Sequence, residues 1–100
     1  MALAIFTKQS YEDFPISADF SKDMATGETL ISQTITAIDN AGDDATASIL
    51  STPTNDGATQ ALIRVFAGTE ALSPYKVTFR VVTSIGNKWE LDIKMKVKEL

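Results

Sequence analysis

Carboxylates are the side chains of this chain whose types and spacing could support chemistry. Asp39, Asp43 and Asp44 crowd one stretch beside Asn40, and Asn55-Asp56-Gly57 makes a second. A calcium site needs about six to eight oxygens converging on one point, and the calcium loop of a helix-loop-helix site needs a ligand spacing that neither stretch has. Asn, Asp and Gly at such positions are accounted for by turn formation, because they tolerate left-handed backbone and cap it locally. A carboxylate pair for glycoside hydrolysis could be drawn from Glu12, Asp13, Asp19, Asp23 and Glu28. Nothing in the sequence sets a separation between any two of them, and a domain this small has little room for a pocket that engulfs a substrate. The expectation is a protein without catalytic residues, cofactor or metal.

What is missing narrows the choice further. The 100 residues include no histidine and no cysteine. That removes Ser-His-Asp and Cys-His catalysis, imidazole and thiolate metal sites, and disulfide staples. Thirteen acidic residues against nine basic ones leave a net charge of -4, which suits solubility and disfavours wrapping nucleic acid. The row Lys94, Lys96 and Lys98 is diluted by Glu90, Asp92 and Glu99, and lysines on a terminal strand commonly blunt a sheet edge. No glycine-rich phosphate loop is present. The apolar opening, Met1 to Phe6, is too short for a signal peptide or a membrane span and reads as a first strand or as an arm that packs on something else.

The elements that must position these groups are strands. Tyr75, Val77, Phe79 and Val81 alternate with Lys76, Thr78, Arg80 and Val82, and Trp89, Leu91, Ile93, Met95 and Val97 alternate with polar residues. This is a β-hairpin with one wet face. Its two apolar rows meet only across a loop with an odd number of residues. A loop of three, Ile85-Gly86-Asn87, places Val81 opposite Leu91, Phe79 opposite Ile93, Val77 opposite Met95 and Arg80 opposite Asp92.

Upstream, residues 7–13 read as a polar connection, and Phe14-Pro15 opens a strand in which Ile16, Ala18 and Phe20 share a face, its proline end at a sheet edge. Asp23 to Gly27 is a loop or one helical turn. A strand over Thr29 to Ile38 puts Ile31, Gln33, Ile35 and Ala37 on one face and Leu30, Ser32, Thr34 and Thr36 on the other. A shorter strand is expected over Ala45 to Ser51, a break over Thr52 to Gly57, and another strand over Thr59 to Ala67, where Ala61, Ile63 and Val65 line up and Phe66 is core or interface. Trp89 lies on the apolar row as a core filler. Tyr75, near the start of its strand, either folds its hydroxyl onto a loop carbonyl or simply packs. With turn signals roughly every eight to twelve residues and no sustained helical period, the pattern is an all-β, antiparallel, immunoglobulin-like sandwich of about seven strands. It forms one domain over 1–100, with a strand or arm and its connection over 1–13 and the sandwich core over 14–100.

Several short stretches, in order, resemble a family. Asp19-Phe20-Ser21, Gly27-Glu28-Thr29-Leu30, Gly68-Thr69, Tyr75-Lys76-Val77-Thr78, Thr83-Ser84-Ile85-Gly86 and Lys96-Val97-Lys98-Glu99 run from about residue 18 to 99. In that order and spacing the chain is similar to the small immunoglobulin-like virion proteins of tailed bacteriophages and prophages, labelled fibre-tail adaptor proteins. Ile35 stands where that family often has tryptophan, and the Asp-rich turn at 39–44 has no counterpart in it.

The resemblance implies a non-enzymatic virion structural protein that joins tail and fibre components. Its partners would be other virion proteins in a symmetric multi-copy assembly built in the bacterial cytoplasm, with no nucleic acid, membrane or small-molecule substrate. The alternatives are a capsid decoration or head-completion protein, and a small carbohydrate- or host-surface-binding module. The arm residues Leu3, Ile5 and Phe6, which find no place in a seven-stranded core, and the loop residues Phe14, Met24 and Leu72 are the expected contacts.

Overall fold

A computed structural model describes residues 4–51, 54–56 and 59–99. Among these residues seven strands fall in two sheets: β1 (Ala4–Lys8), β2 (Phe14–Asp19), β3 (Leu30–Ile38), β4 (Thr54–Asp56), β5 (Gln60–Val65), β6 (Tyr75–Thr83) and β7 (Lys88–Val97). One sheet has the order β1-β7-β6-β3, the other β2-β5-β4. The facing sheets enclose a core of Ala18, Phe20, Ile35, Ile63, Val65, Val77, Phe79, Val81, Ile93 and Met95, with others. Helical content is slight: a four-residue α1 (Thr46–Ile49) and two 3-10 turns, Ser21–Asp23 and Glu70–Leu72.

The central hairpin forms on the expected residues in a register displaced by two. Val81 lies opposite Trp89, Phe79 opposite Leu91, Val77 opposite Ile93 and Tyr75 opposite Met95. Arg80 accordingly meets Glu90, and Thr78 meets Asp92. The loop does have three residues, but they are Ser84, Ile85 and Gly86: the Thr83 amide donates to the Asn87 carbonyl at 2.9 Å. The reason is that such loops end on a residue in left-handed conformation, and Gly86, at φ +88, is the residue that takes it. A shift of two preserves the faces, so the apolar rows still meet.

Elsewhere the alternation is broken where the backbone is. Between Leu30 and Ser32 the β3–β6 register slips at a bulge, which turns Leu30 into the core and leaves Ile31 exposed, the reverse of the simple alternation. Over Ala45 to Ser51 there is no strand. The buried residues Ala45, Ile49 and Leu50 have helical spacing, and the Ile49 and Leu50 amides donate to the Ala45 and Thr46 carbonyls. Asp44 starts this turn by accepting from the Thr46 amide and hydroxyl at 3.0 and 2.7 Å. The strand in this part of the chain is β4 instead, inside the stretch expected to be a break, paired with the first half of β5. Pro15, lacking an amide hydrogen, does sit on an edge strand.

β1 is a strand of the sandwich and not a free arm over the described residues. It runs parallel to β7, pairing Ala4 with Ile93 through Lys8 with Val97, so the sandwich is not wholly antiparallel. With β1 alongside, β7 is an interior strand. The lysines at 94 and 96 therefore do not guard an edge; they lie on the outer face, where Lys94 pairs with Lys76 across the strands.

Tyr75 settles between its two readings with a change of direction: its hydroxyl oxygen accepts from the loop amide of Thr69 at 3.0 Å, where donation to a carbonyl was expected. Trp89 packs partly buried against the core, and its indole N–H has no partner among the described residues.

Candidate functional site

The turn that follows β1 is held from several sides. Lys8 faces inward at the end of β1 and is only 1% exposed. Its ammonium donates to the carbonyls of Gln9 at 2.8 Å and Ser10 at 3.3 Å. Burial lowers the Lys8 pKa, against the opposing pull of Glu12, Glu99 and Asp13. The Glu12 carboxylate accepts from the Gln9 amide at 2.6 Å, while the Glu12 amide donates back to the Gln9 carbonyl at 3.1 Å. Ser10 gives its amide to Glu99 at 2.7 Å, which ties the turn to the far end of the chain and holds the Glu99 carboxyl below its ordinary range. Tyr11 projects from this braced turn with 96% of its surface exposed.

Beside it lies aromatic surface supplied by other strands. Phe14 opens β2 opposite Val65, and the chain leaving β5 brings Phe66 next to it, fixed by the Phe66 amide donating to the Ile49 carbonyl at 2.9 Å. Phe6 of β1 meets Phe14 edge to face, with centroids 5.9 Å apart. Tyr11, Glu12, Asp13, Phe14 and Phe66 line a shallow hollow of about 540 Å³. Phe66 is 42% exposed there. Arg64, outside this lining, holds the Asp13 carboxylate at 3.0 Å. The hollow thus combines π faces, hydrogen-bond acceptors and a tyrosine hydroxyl on a rigid support.

The residues singled out from sequence are scattered by comparison. Leu3 lies outside the described residues. Ile5 is exposed on the outer face of β1, opposite Lys94, whereas Phe6 is half-buried against the core. Phe14 is a strand residue and not a loop residue, and it lines the hollow. Met24 packs partly buried against the core. Leu72 is exposed on a 3-10 turn; the carbonyls of Ala71 within it and of Ser73 just after it accept from the Asn40 side chain. Sequence reasoning missed Tyr11, and the available signal was an aromatic residue isolated in the polar run 7–13.

The candidate carboxylates are committed individually to the fold. Asp19 accepts from the Ser21 amide at 2.9 Å, Asp13 holds Arg64, and Glu28, 4% exposed, accepts from the Ala25 amide and the Asn87 side chain. Asp39 accepts from the amides of Ala41 and Asp43, the turn role expected of the Asp-rich stretch. Among the described residues, no three acidic side chains are grouped so as to hold a metal ion, and no helix is long and apolar enough to cross a membrane.

This architecture, with strands divided between two facing sheets, the first strand parallel to the last, and a tyrosine whose hydroxyl braces the turn before the sixth strand, is that of an immunoglobulin-like β-sandwich. A solved structure agrees. Murine CRIg superposes with a TM-score of 0.54 at 13% identity, covering 95% of this chain and 92% of that chain. The first Ig-like domain of human CD48 antigen gives 0.48 at 19% identity, covering 96% and 82%. No protein-family model matches the chain, and no curated protein matches it. At such identities the likeness to CRIg shows the fold alone.

Proposed function

We propose that this protein is a non-enzymatic structural component of a phage or prophage particle, an immunoglobulin-like domain that joins tail and fibre components by surface contacts. The observation that carries the contact role is Tyr11, almost wholly exposed on a turn held by five hydrogen bonds, two of them from a buried lysine, next to half-exposed Phe66. Rigid aromatic side chains of this kind lose little freedom on binding and make good anchors. The place in a particle rests on the sequence resemblance. Two of the stretches that carry it, Gly27–Leu30 and Thr83–Gly86, meet in space, where the Thr29 amide donates to the Ser84 hydroxyl and the Ser84 amide to the Thr29 carbonyl. Weak docking repeated around a symmetric particle would make the assembly firm.

Quantitative mass spectrometry of purified particles, scaled to the major capsid protein, tests the proposal. A ratio far below one supports a tail adaptor. A ratio near one assigns the protein to the capsid as a decoration protein, and its absence overturns the virion reading. The exposed rings of Tyr11 and Phe66 are the feature that favours a second reading, a saccharide-binding module, which glycan-array binding by the isolated protein would support.

A further inference from the structure

We infer that the hollow beside Tyr11 is a docking site for a basic side chain of a partner protein, an arginine in preference to a lysine. The inference rests on the reading of this domain as a protein-joining module and names the chemistry of its contact.

The lining selects its ligand by what it lacks. Three of its residues present rings and two present carboxylates; the sole side-chain donor is the Tyr11 hydroxyl. A saccharide hydroxyl both donates and accepts, and half of that capacity would go unmet here. A guanidinium is donor-only, carries the charge that Glu12 and Asp13 attract, and is planar enough to lie against the faces of Tyr11 and Phe66. Its methylene stem would cover Phe14. The carboxylates keep capacity for this. Glu12 uses one oxygen on the Gln9 amide, and Asp13 uses one on Arg64, which shows the pairing that a second guanidinium would repeat.

The support beneath the hollow is the independent observation. Desolvating a lysine is costly, yet Lys8 is buried and gives its described hydrogen bonds to two carbonyls of the turn that carries Tyr11. Glu99 adds a bond from the other end of the chain. This bracing is present in the protein alone. Its consequence is that Tyr11 and Glu12 are set before a ligand arrives.

The test is a titration of the isotope-labelled full chain with a capped Gly-Arg-Gly peptide, followed by amide and aromatic NMR shifts. Its citrulline counterpart has the same shape and no charge. The expected result is a saturable shift at Tyr11, Glu12, Asp13 and Phe66 that weakens about tenfold with citrulline and weakens in about 0.5 M salt. Tyr11→Ala should abolish it without changing the melting temperature, since that ring is exposed. Glu12→Gln keeps an oxygen for the Gln9 amide and should still weaken binding. Equal shifts with citrulline, shifts elsewhere, or saturation by methyl glycosides in place of the arginine peptide would overturn the inference, as would no shift up to about 20 mM peptide. The titration is independent of particle composition: a null result removes the arginine site and leaves the virion proposal standing, and absence from particles leaves the titration unaffected.

Discussion

Glu28 and Asn87, 59 residues apart in the chain, are joined by a 3.1 Å hydrogen bond from the Asn87 side-chain amide to the Glu28 carboxylate. The other carboxylate oxygen accepts from the Ala25 amide at 2.8 Å, and Asn87 also gives its backbone amide to the Thr83 hydroxyl at 3.2 Å. The carboxylate is therefore the clasp between the turn before β3 and the β6–β7 hairpin. Because it is buried and acceptor-only when ionised, its loss leaves donors without partners.

Acid should loosen this clasp along with three others. Hydrogen bonds hold the native carboxyls below their ordinary values, from the Thr83 side chain and then the Ala25 amide at Glu28, from Ser21 at Asp19, from Thr46 at Asp44 and from Ser10 at Glu99. The unfolded chain then binds more protons than the native one as pH falls below about 4.5. Stability from these groups is complete above that pH and is lost as pH drops through the native values. Urea midpoints measured from pH 7 to pH 2.5 should decline below pH 5, and Glu28→Gln should flatten the decline. A midpoint unchanged across that range would contradict the account.

Removing residues 1–6 should destabilise the domain, because Ala4 to Lys8 pair with β7 and Phe6 packs against the core. Thermal melts of the full chain and the shortened variant should differ by roughly 2 kcal/mol or more, the value of burying one large apolar side chain with its strand. Equal melts would show that β1 contributes nothing to the fold.

Tyr75→Phe should cost about 1 kcal/mol by leaving the Thr69 amide without its acceptor. Gly68→Ala, in the same corner, should cost more. At φ +135 a Cβ there would stand 3.1 Å from Val97 and 3.2 Å from Met95, neither of which is free to retreat from a packed core. Denaturant midpoints rank the two; a Gly68→Ala protein as stable as the parent would refute the packing argument.

Lys8→Met separates local order from global stability. Methionine fills the site without a desolvated charge but cannot donate to the Gln9 and Ser10 carbonyls. The melting temperature should change little, while amide exchange over residues 9–12 rises by about tenfold, as for loss of one charged hydrogen bond. Unchanged exchange in the turn would mean that the ammonium does not brace it.

Much of this architecture is legible in local pattern. Period-two alternation in Tyr75–Val81, Trp89–Val97 and Ala61–Val65 determines which side chains face inward, because successive strand residues point to opposite faces whatever their partners are. The odd loop length follows from the same parity. Parity cannot choose between registers that differ by two, and there the preference of Gly86 for left-handed backbone decided the pairing. Nor could alternation foresee the bulge that reverses Leu30 and Ile31, since an inserted residue is invisible until the partner strand is in place.

The candidate site is a local run of residues completed by tertiary structure. Residues 11–14 are consecutive, but Phe66 reaches them from beyond β5, and the brace from Ser10 to Glu99 spans 89 residues. Sequence by itself determined a two-sheet β-sandwich, its inward faces, and a composition that removes histidine and thiol chemistry. Only the folded chain decided that β1 closes against β7 and that Lys8 is buried beneath an exposed tyrosine. Strand pairing and burial depend on residues distant in sequence, whereas side-chain alternation depends only on neighbours.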